Sequence, residues 1–250
     1  METMIRLKKS AKVSRPVMIV GLPGIGGVGR MVVEQIRKEY NAKRIATIYS
    51  PYFPSHVIMT KSGGIRLVSN GLYKIKRNGN DILLLTGDIQ PPSTEGQFRV
   101  NSDIINFFKN NLNGAFIYTI GGYVSHDPAK NKPRVFANAT SKDIIKRFSK
   151  YGLVFGKSRG TIWGAAGMLL AFAKMGKMDG ICLLGETSLT DFDATAAKAV
   201  LEVLSKIMHL EVKTEGLDHL IDEAAKVEKE LAQQMSAQEA DKDRKLSYIR

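Results

Sequence analysis

Two rhythms alternate along the chain of 250 residues: short unbroken apolar runs, and stretches in which apolar residues recur every three or four positions. The first kind marks buried strands and the second amphipathic helices. "PVMIVG", "RIATIYS", "DILLLTGD", "AFIYTIGGY" and "GICLLG" read as strands, the continuous ones being of the type buried on both faces. Helices are predicted over Val28–Tyr40, Gln97–Asn111, Trp163–Met175 and Ala194–Met208, with one more after Ser141, a plausible N-cap, carrying Ile144, Ile145 and Phe148. "HVIMTK", "GIRLV" and "GLYKIKRNG" read as short antiparallel strands, with turn chemistry at Asn78-Gly79. "PRVFAN" reads as another short strand, and "GLVFG" leads into a glycine-bearing loop. The order predicts an α/β fold: a mostly parallel sheet covered by helices on both faces. No internal repeat is present.

The texture changes at Leu217, where Ala, Glu, Lys and Gln take over. Leu220, Ala224, Val227 and Leu231 trace a narrow apolar stripe on a long helix, suited to docking on the body or on another subunit. "SAQEADKDRKLSYIR" then closes the chain as a polar tail. Two units are expected, an α/β domain over residues 1–216 and a C-terminal helix and tail over 217–250.

Charge changes this picture only in its choice of partners. The formal net charge is +13, and the last 34 residues carry eight acids against six Lys or Arg, which leaves about +15 on the rest. Such a balance attracts acidic partners. The positive residues are scattered singly and in pairs, without a basic helix, zinc-finger spacing or RNP signature, so no specific nucleic-acid binding is expected. No run reaches the length of a membrane span, no signal peptide is expected at the start, and no membrane partner is predicted. The lone Cys182 sits inside an apolar run, where it reads as a small buried hydrophobe and agrees with a cytoplasmic location.

Two places could carry chemistry. In "GLPGIGGVG", Gly24, Gly26 and Gly29 fall on G-x-G-x-x-G spacing. A dinucleotide site also needs an acid about 20 residues on, and the second strand ends "IATIYSP" without one. A phosphate loop would need Gly-Lys-Ser/Thr, and Gly29 is followed by Arg30 and Met31. The loop therefore reads as a tight strand-to-helix turn, with anion binding at the helix start left open. The other place is the rim formed by the carboxyl ends of the strands, where open α/β sheets hold ligands. It offers Asp88, Gln90 and Glu95; Tyr123, His126 and Asp127; Ser158, Arg159 and Thr161; and Glu186, Thr187, Asp191 and Asp193. The acids could bind a metal and Arg159 an anion, yet no metal-ligand spacing, nucleophile elbow or Cys/His pair appears. Asp191 or Asp193 could equally cap the following helix. No cofactor, metal or catalytic residue is predicted.

Taken together, "GLPGIGGVG", "GDIQPPSTEGQF", "TIGGY" and "GAAGMLLAFAKMGKMDGICLLGETSLTDFDATAAKAVLEVLSKI" resemble the PAC2 family, the proteasome assembly chaperones and their archaeal homologues. The resemblance spans about Val17 to Met208. It implies a three-layer α/β sandwich similar to nucleoside phosphorylases, without an enzyme's active-site residues. It also implies homo-oligomers and a non-enzymatic, ATP-independent role, in which the protein binds the α subunits of the proteasome core particle to assist assembly or activation. Archaeal-type members dock through a C-terminal hydrophobic–Tyr–any motif. Here the chain ends Leu246, Ser247, Tyr248, Ile249, Arg250, so the tyrosine stands third from the end. The terminal carboxylate is thus one residue further from the ring, about 3.3–3.6 Å when extended. Leu246, Tyr248, Ile249 and Arg250 are the expected partner-binding residues. The competing reading is a phosphorylase- or hydrolase-like enzyme, or a small-ligand-binding protein, working at the Asp88, Arg159, Glu186 and Asp191 rim.

Overall fold

The computed structural model describes residues 2–76, 80–125, 132–156, 160–188 and 191–227. In chain order the strands are β1 (Met4–Leu7), β2 (Val17–Val20), β3 (Lys43–Tyr49), β4 (Val57–Met59), β5 (Ile65–Leu67), β6 (Asn70–Ile75), β7 (Ile82–Gly87), β8 (Phe116–Val124), β9 (Val135–Ala139), β10 (Val154–Phe155) and β11 (Asp179–Thr187). The helices are α1 (Val28–Glu39), α2 (Thr94–Asn110), α3 (Lys142–Phe148), α4 (Ala165–Met175) and α5 (Ala194–Met208). A last helix, α6, occupies residues 215–227.

Nine strands form one sheet in the order β1-β3-β6-β7-β2-β8-β11-β9-β10, while β4 and β5 pair as a separate hairpin. The four central strands β7, β2, β8 and β11 run parallel. Their near-continuous apolar sequences follow from burial on both faces. The expected large, mostly parallel sheet is present, with its parallel character concentrated in this centre. Toward the edges β6, β3 and β1 pair antiparallel in succession, and β9 pairs antiparallel with β11.

Alternation along each strand sends side chains to two helical layers. Ile19, Leu84, Tyr118 and Ile181 pack with Val32, Ile36, Phe148, Val200 and Leu204 of α1, α3 and α5. On the other face Met18, Leu83, Leu85 and Ile117 meet Ile104, Phe108 and Leu169 of α2 and α4. Leu217, at the start of α6, is buried with the first layer. Cys182 lies wholly buried in β11, and burial pushes its thiol up to about 12, against a smaller opposing effect of the Thr119 hydroxyl.

Several boundaries differ from the sequence reading. The second long helix starts at Thr94 rather than Gln97, because the Ser93 side chain accepts the Gly96 N–H and caps it there. The fourth helix starts at Ala165, leaving Trp163 before it and 77% exposed. Ser141 and Asp193 cap α3 and α5 by accepting the N–H groups of Ile144 and Ala196. The edge strand β1 has no counterpart in the sequence reading. The turn residues Asn78 and Gly79 lie outside the described residues. Among the described residues no helix is long and apolar enough to cross a membrane.

Candidate functional site

The loops that leave the parallel centre gather at one end of the sheet. After β2 the chain passes Gly24 in an extended conformation, then Gly26 and Gly27, both at φ +60°. A side chain is strained in that left-handed region, and two such residues in succession let α1 begin at once. Two further glycines allow close approach. A Cβ on Gly21 would be driven into the Gly29 carbonyl, and one on Gly29 into the carbonyl of Ile120 in β8. The helix thus sits backbone against sheet. Its first turn lacks a side-chain cap, and the Phe192 ring packs on Gly27.

Asp88, just beyond β7, is held by both guanidinium nitrogens of Arg66 from the hairpin, one bond measuring 2.8 Å, and accepts the Ser69 N–H at 2.9 Å. Partial burial works to raise its carboxyl, but the Arg66 and Ser69 hydrogen bonds outweigh it and hold the group below the ordinary carboxylate value. Gln90, two residues on, makes the neighbouring link. Its Nε2 donates to the Pro23 carbonyl in the glycine loop, and its Oε1 accepts the Ala165 N–H at 2.7 Å at the start of α4. Gln97 Nε2 donates to the same oxygen at 3.2 Å and to the Pro91 carbonyl at 2.7 Å. One carboxamide therefore ties together the loops after β2 and β7 and the beginning of α4.

Glu186 sits near the end of β11 and is 1% exposed. Arg134, at the entrance to β9, donates to it from its backbone N–H at 3.0 Å and from its guanidinium Nε and Nη2. Thr187 donates to Asp193, which caps α5 with its other carboxylate oxygen. Asp191 is exposed beside the glycine loop.

Among the described residues Asp88 and Glu186 do not converge. Asp88 and Glu186 belong to strands three positions apart in the sheet, about 14 Å at ordinary strand spacing. Each has its own arginine. Between them lies a cavity of about 270 Å³, lined largely by backbone and apolar atoms of Ile25, Ile120, Gly122, Ile162 and Trp163, with Gln90, Tyr123 and Thr161 as polar neighbours. Among the described residues no three His, Cys, Asp or Glu side chains are grouped to hold a metal. His126, Asp127, Ser158, Arg159, Leu246, Tyr248, Ile249 and Arg250 lie outside the described residues. Among the described residues the arrangement provides shape, backbone contacts and satisfied ion pairs rather than an acid–base pair poised on a common point. Sequence reasoning missed Arg66 and Arg134 as partners of the rim acids, since 22 and 52 residues separate the members of each pair.

Known proteins share this architecture. The chain is similar to PbaB of Pyrococcus furiosus, described as an archaeal proteasome activator. Identity is 34%, the TM-score is 0.86, and the match covers 92% of this chain and 99% of that one. It is also similar to PbaA of the same organism, an archaeal homolog of proteasome-assembly chaperone, at 26% identity and TM-score 0.74 over 92% and 94% of the two chains. A protein of Methanocaldococcus jannaschii is 30% identical over 233 residues, covering 90% of this chain and 89% of its own length. The PAC2 family model matches residues 18–235, from the first central strand to beyond the start of α6. The chain belongs to the PAC2 family.

Proposed function

We propose that this protein binds the α-ring of the proteasome core particle and assists its assembly or opens its gate. It works as a homo-oligomer in the cytoplasm, without ATP and without catalysing a reaction. The observation that carries this reading is the 34% identity to an archaeal proteasome activator over nearly the whole of both chains. The rim supports it from the other side, because Asp88 and Glu186 are each engaged by an arginine and stand apart. Binding alone can do such work. A chaperone that binds one arrangement of a ring more tightly than another shifts the ring toward it by that difference in affinity.

The C-terminal residues Leu246 to Arg250 contribute part of the grip, with Tyr248 entering a pocket on the ring. Co-purification of purified core particle with the full chain and with a variant lacking residues 246–250 tests the tail. The truncated variant should retain less core particle at equal salt. Equal retention would remove the tail from the mechanism, and absence of binding by the full chain would remove the ring itself as the partner.

A further inference from the structure

Beyond α1, the outer strands β6, β3 and β1 continue the sheet past the layer formed by α1, α3 and α5. Strand register puts Tyr73 opposite Arg44, Thr47 opposite both Gly71 and Arg6, and Tyr49 opposite Met4, all on that same face. Arg6 and Arg44 are exposed there, and Tyr49 and Tyr73 are only half-buried. The two tyrosines are dressed by arginines. The Arg6 guanidinium lies 5.6 Å from the Tyr49 ring centre, and those of Arg37 and Arg44 each lie 5.2 Å from that of Tyr73. Arg44 also donates to the Tyr73 hydroxyl at 2.7 Å. Arg37 is paired with Glu34 and Arg66 with Asp88, whereas Arg6 and Arg44 have no carboxylate among their contacts in the described residues.

At the upper end this face runs into a groove of about 960 Å³ between β1, the loop after β3 and the hairpin, with Met4, Tyr49, Phe53, Val57 and Leu67 in its lining. The hairpin leaves Met59 85% and Ile65 72% exposed beside it. An apolar patch of this kind, rimmed by charge, marks an interaction surface.

We propose that this face docks an acidic segment of a partner protein, with carboxylates on Arg6 and Arg44 and an apolar side chain anchored in the groove. Charge selects the occupant. About +15 of formal charge on residues 1–216 favours an acidic segment at this face over a basic one. Arg6, lying over the Tyr49 ring, has an N–H edge to offer the two oxygens of a carboxylate, while Arg44, whose Nε and Nη2 donate to the Tyr73 hydroxyl, is fixed in direction by that bond and has Nη1 left to donate. Single-stranded nucleic acid fits less well. It needs open aromatic faces for its bases, and guanidiniums already occupy both tyrosines. The face lies on the α/β body, so it extends the α-ring reading without depending on the tail.

Fluorescence anisotropy with the full chain tests this. The probe is a labelled 16-residue peptide of Glu, Ser and Gly carrying a central Phe-Leu pair. The wild-type protein should bind it, and the double substitution Arg6→Glu, Arg44→Glu should weaken binding by about tenfold or more. Lys142→Glu with Lys146→Glu, the same charge change on α3, should weaken it less than about twofold. Replacing Phe-Leu by Ser-Gly in the peptide should also weaken binding. Equal losses in both protein variants would reduce the effect to general attraction and overturn the proposal. Tighter binding of a dT16 oligonucleotide, abolished by the Arg6/Arg44 change, would overturn it in favour of nucleic acid. A drop in native mass on that change would assign the face to a second copy. No binding by the wild type would also overturn it.

Discussion

Glu186 and Asp88 differ in how much water their ion pairs retain, and each therefore responds differently to the loss of its partner. The Glu186 side chain is wholly buried while Arg134 keeps about half its surface in water. Removing the Arg134 side chain takes the guanidinium away from a buried carboxylate, which keeps the backbone N–H of residue 134, whereas removing the acid releases an arginine that solvent can satisfy. Arg134→Ala should lower stability by about 3 kcal/mol, and Glu186→Gln by about 1–2 kcal/mol. Urea unfolding of both variants measures the difference, and the reverse order would mean that burial of the carboxylate does not decide the cost. Asp88 makes a prediction about pH instead. Its carboxyl is held below its unfolded value, so the stability it contributes is fully present above an unfolded pKa of about 3.9 and is lost as pH falls through the folded one. The gap in stability between wild type and Asp88→Asn should therefore be level from pH 7 to 5 and narrow below about pH 4. A gap that widens toward low pH would contradict the Arg66 bond as its source.

Elements built from neighbouring residues could be read from the chain, and the glycine turn is the clearest case. The apolar run, the glycines and the amphipathic stretch from Val17 onward are contiguous, so strand, turn and helix follow from local rules. The glycines are not equivalent, however. Gly29 meets the β8 backbone, which cannot give way, while a Cβ on Gly24 would stand 3.2 Å from the end of the Gln90 side chain, which can. Gly29→Ala should cost about 3 kcal/mol, and Gly24→Ala under about 1 kcal/mol. Thermal unfolding of the two variants checks the contrast, and equal costs would remove close helix–sheet approach as the reason for Gly29. Other elements left no local signal. β1 is only four residues, "MIRL", flanked by charge, and it exists because β3 offers it an open edge. The Gln90 links to Pro23 and Ala165 cross 67 and 75 residues, a separation no local pattern encodes.

For the whole molecule, local pattern was enough to recover the layered α/β architecture, because strands buried on both faces and helices buried on one have different periods. The rim was legible only as a set of residues at strand ends. Which of them meet depends on strand order, and β7 and β11 are held apart by β2 and β8. The same central position gives Cys182 a use that has nothing to do with binding. Burial pushes its thiol up to about 12, so the reactive thiolate is scarce near neutral pH and the group is sealed inside the sheet. The single thiol is therefore a built-in clock for the opening of the parallel centre. In excess dithionitrobenzoate its labelling rate should follow the population of opened molecules and fall as the fold is stabilised. Prompt labelling without denaturant would contradict its burial. With no residue changed, the slowing of that clock on adding a partner reports how much the partner steadies the protein.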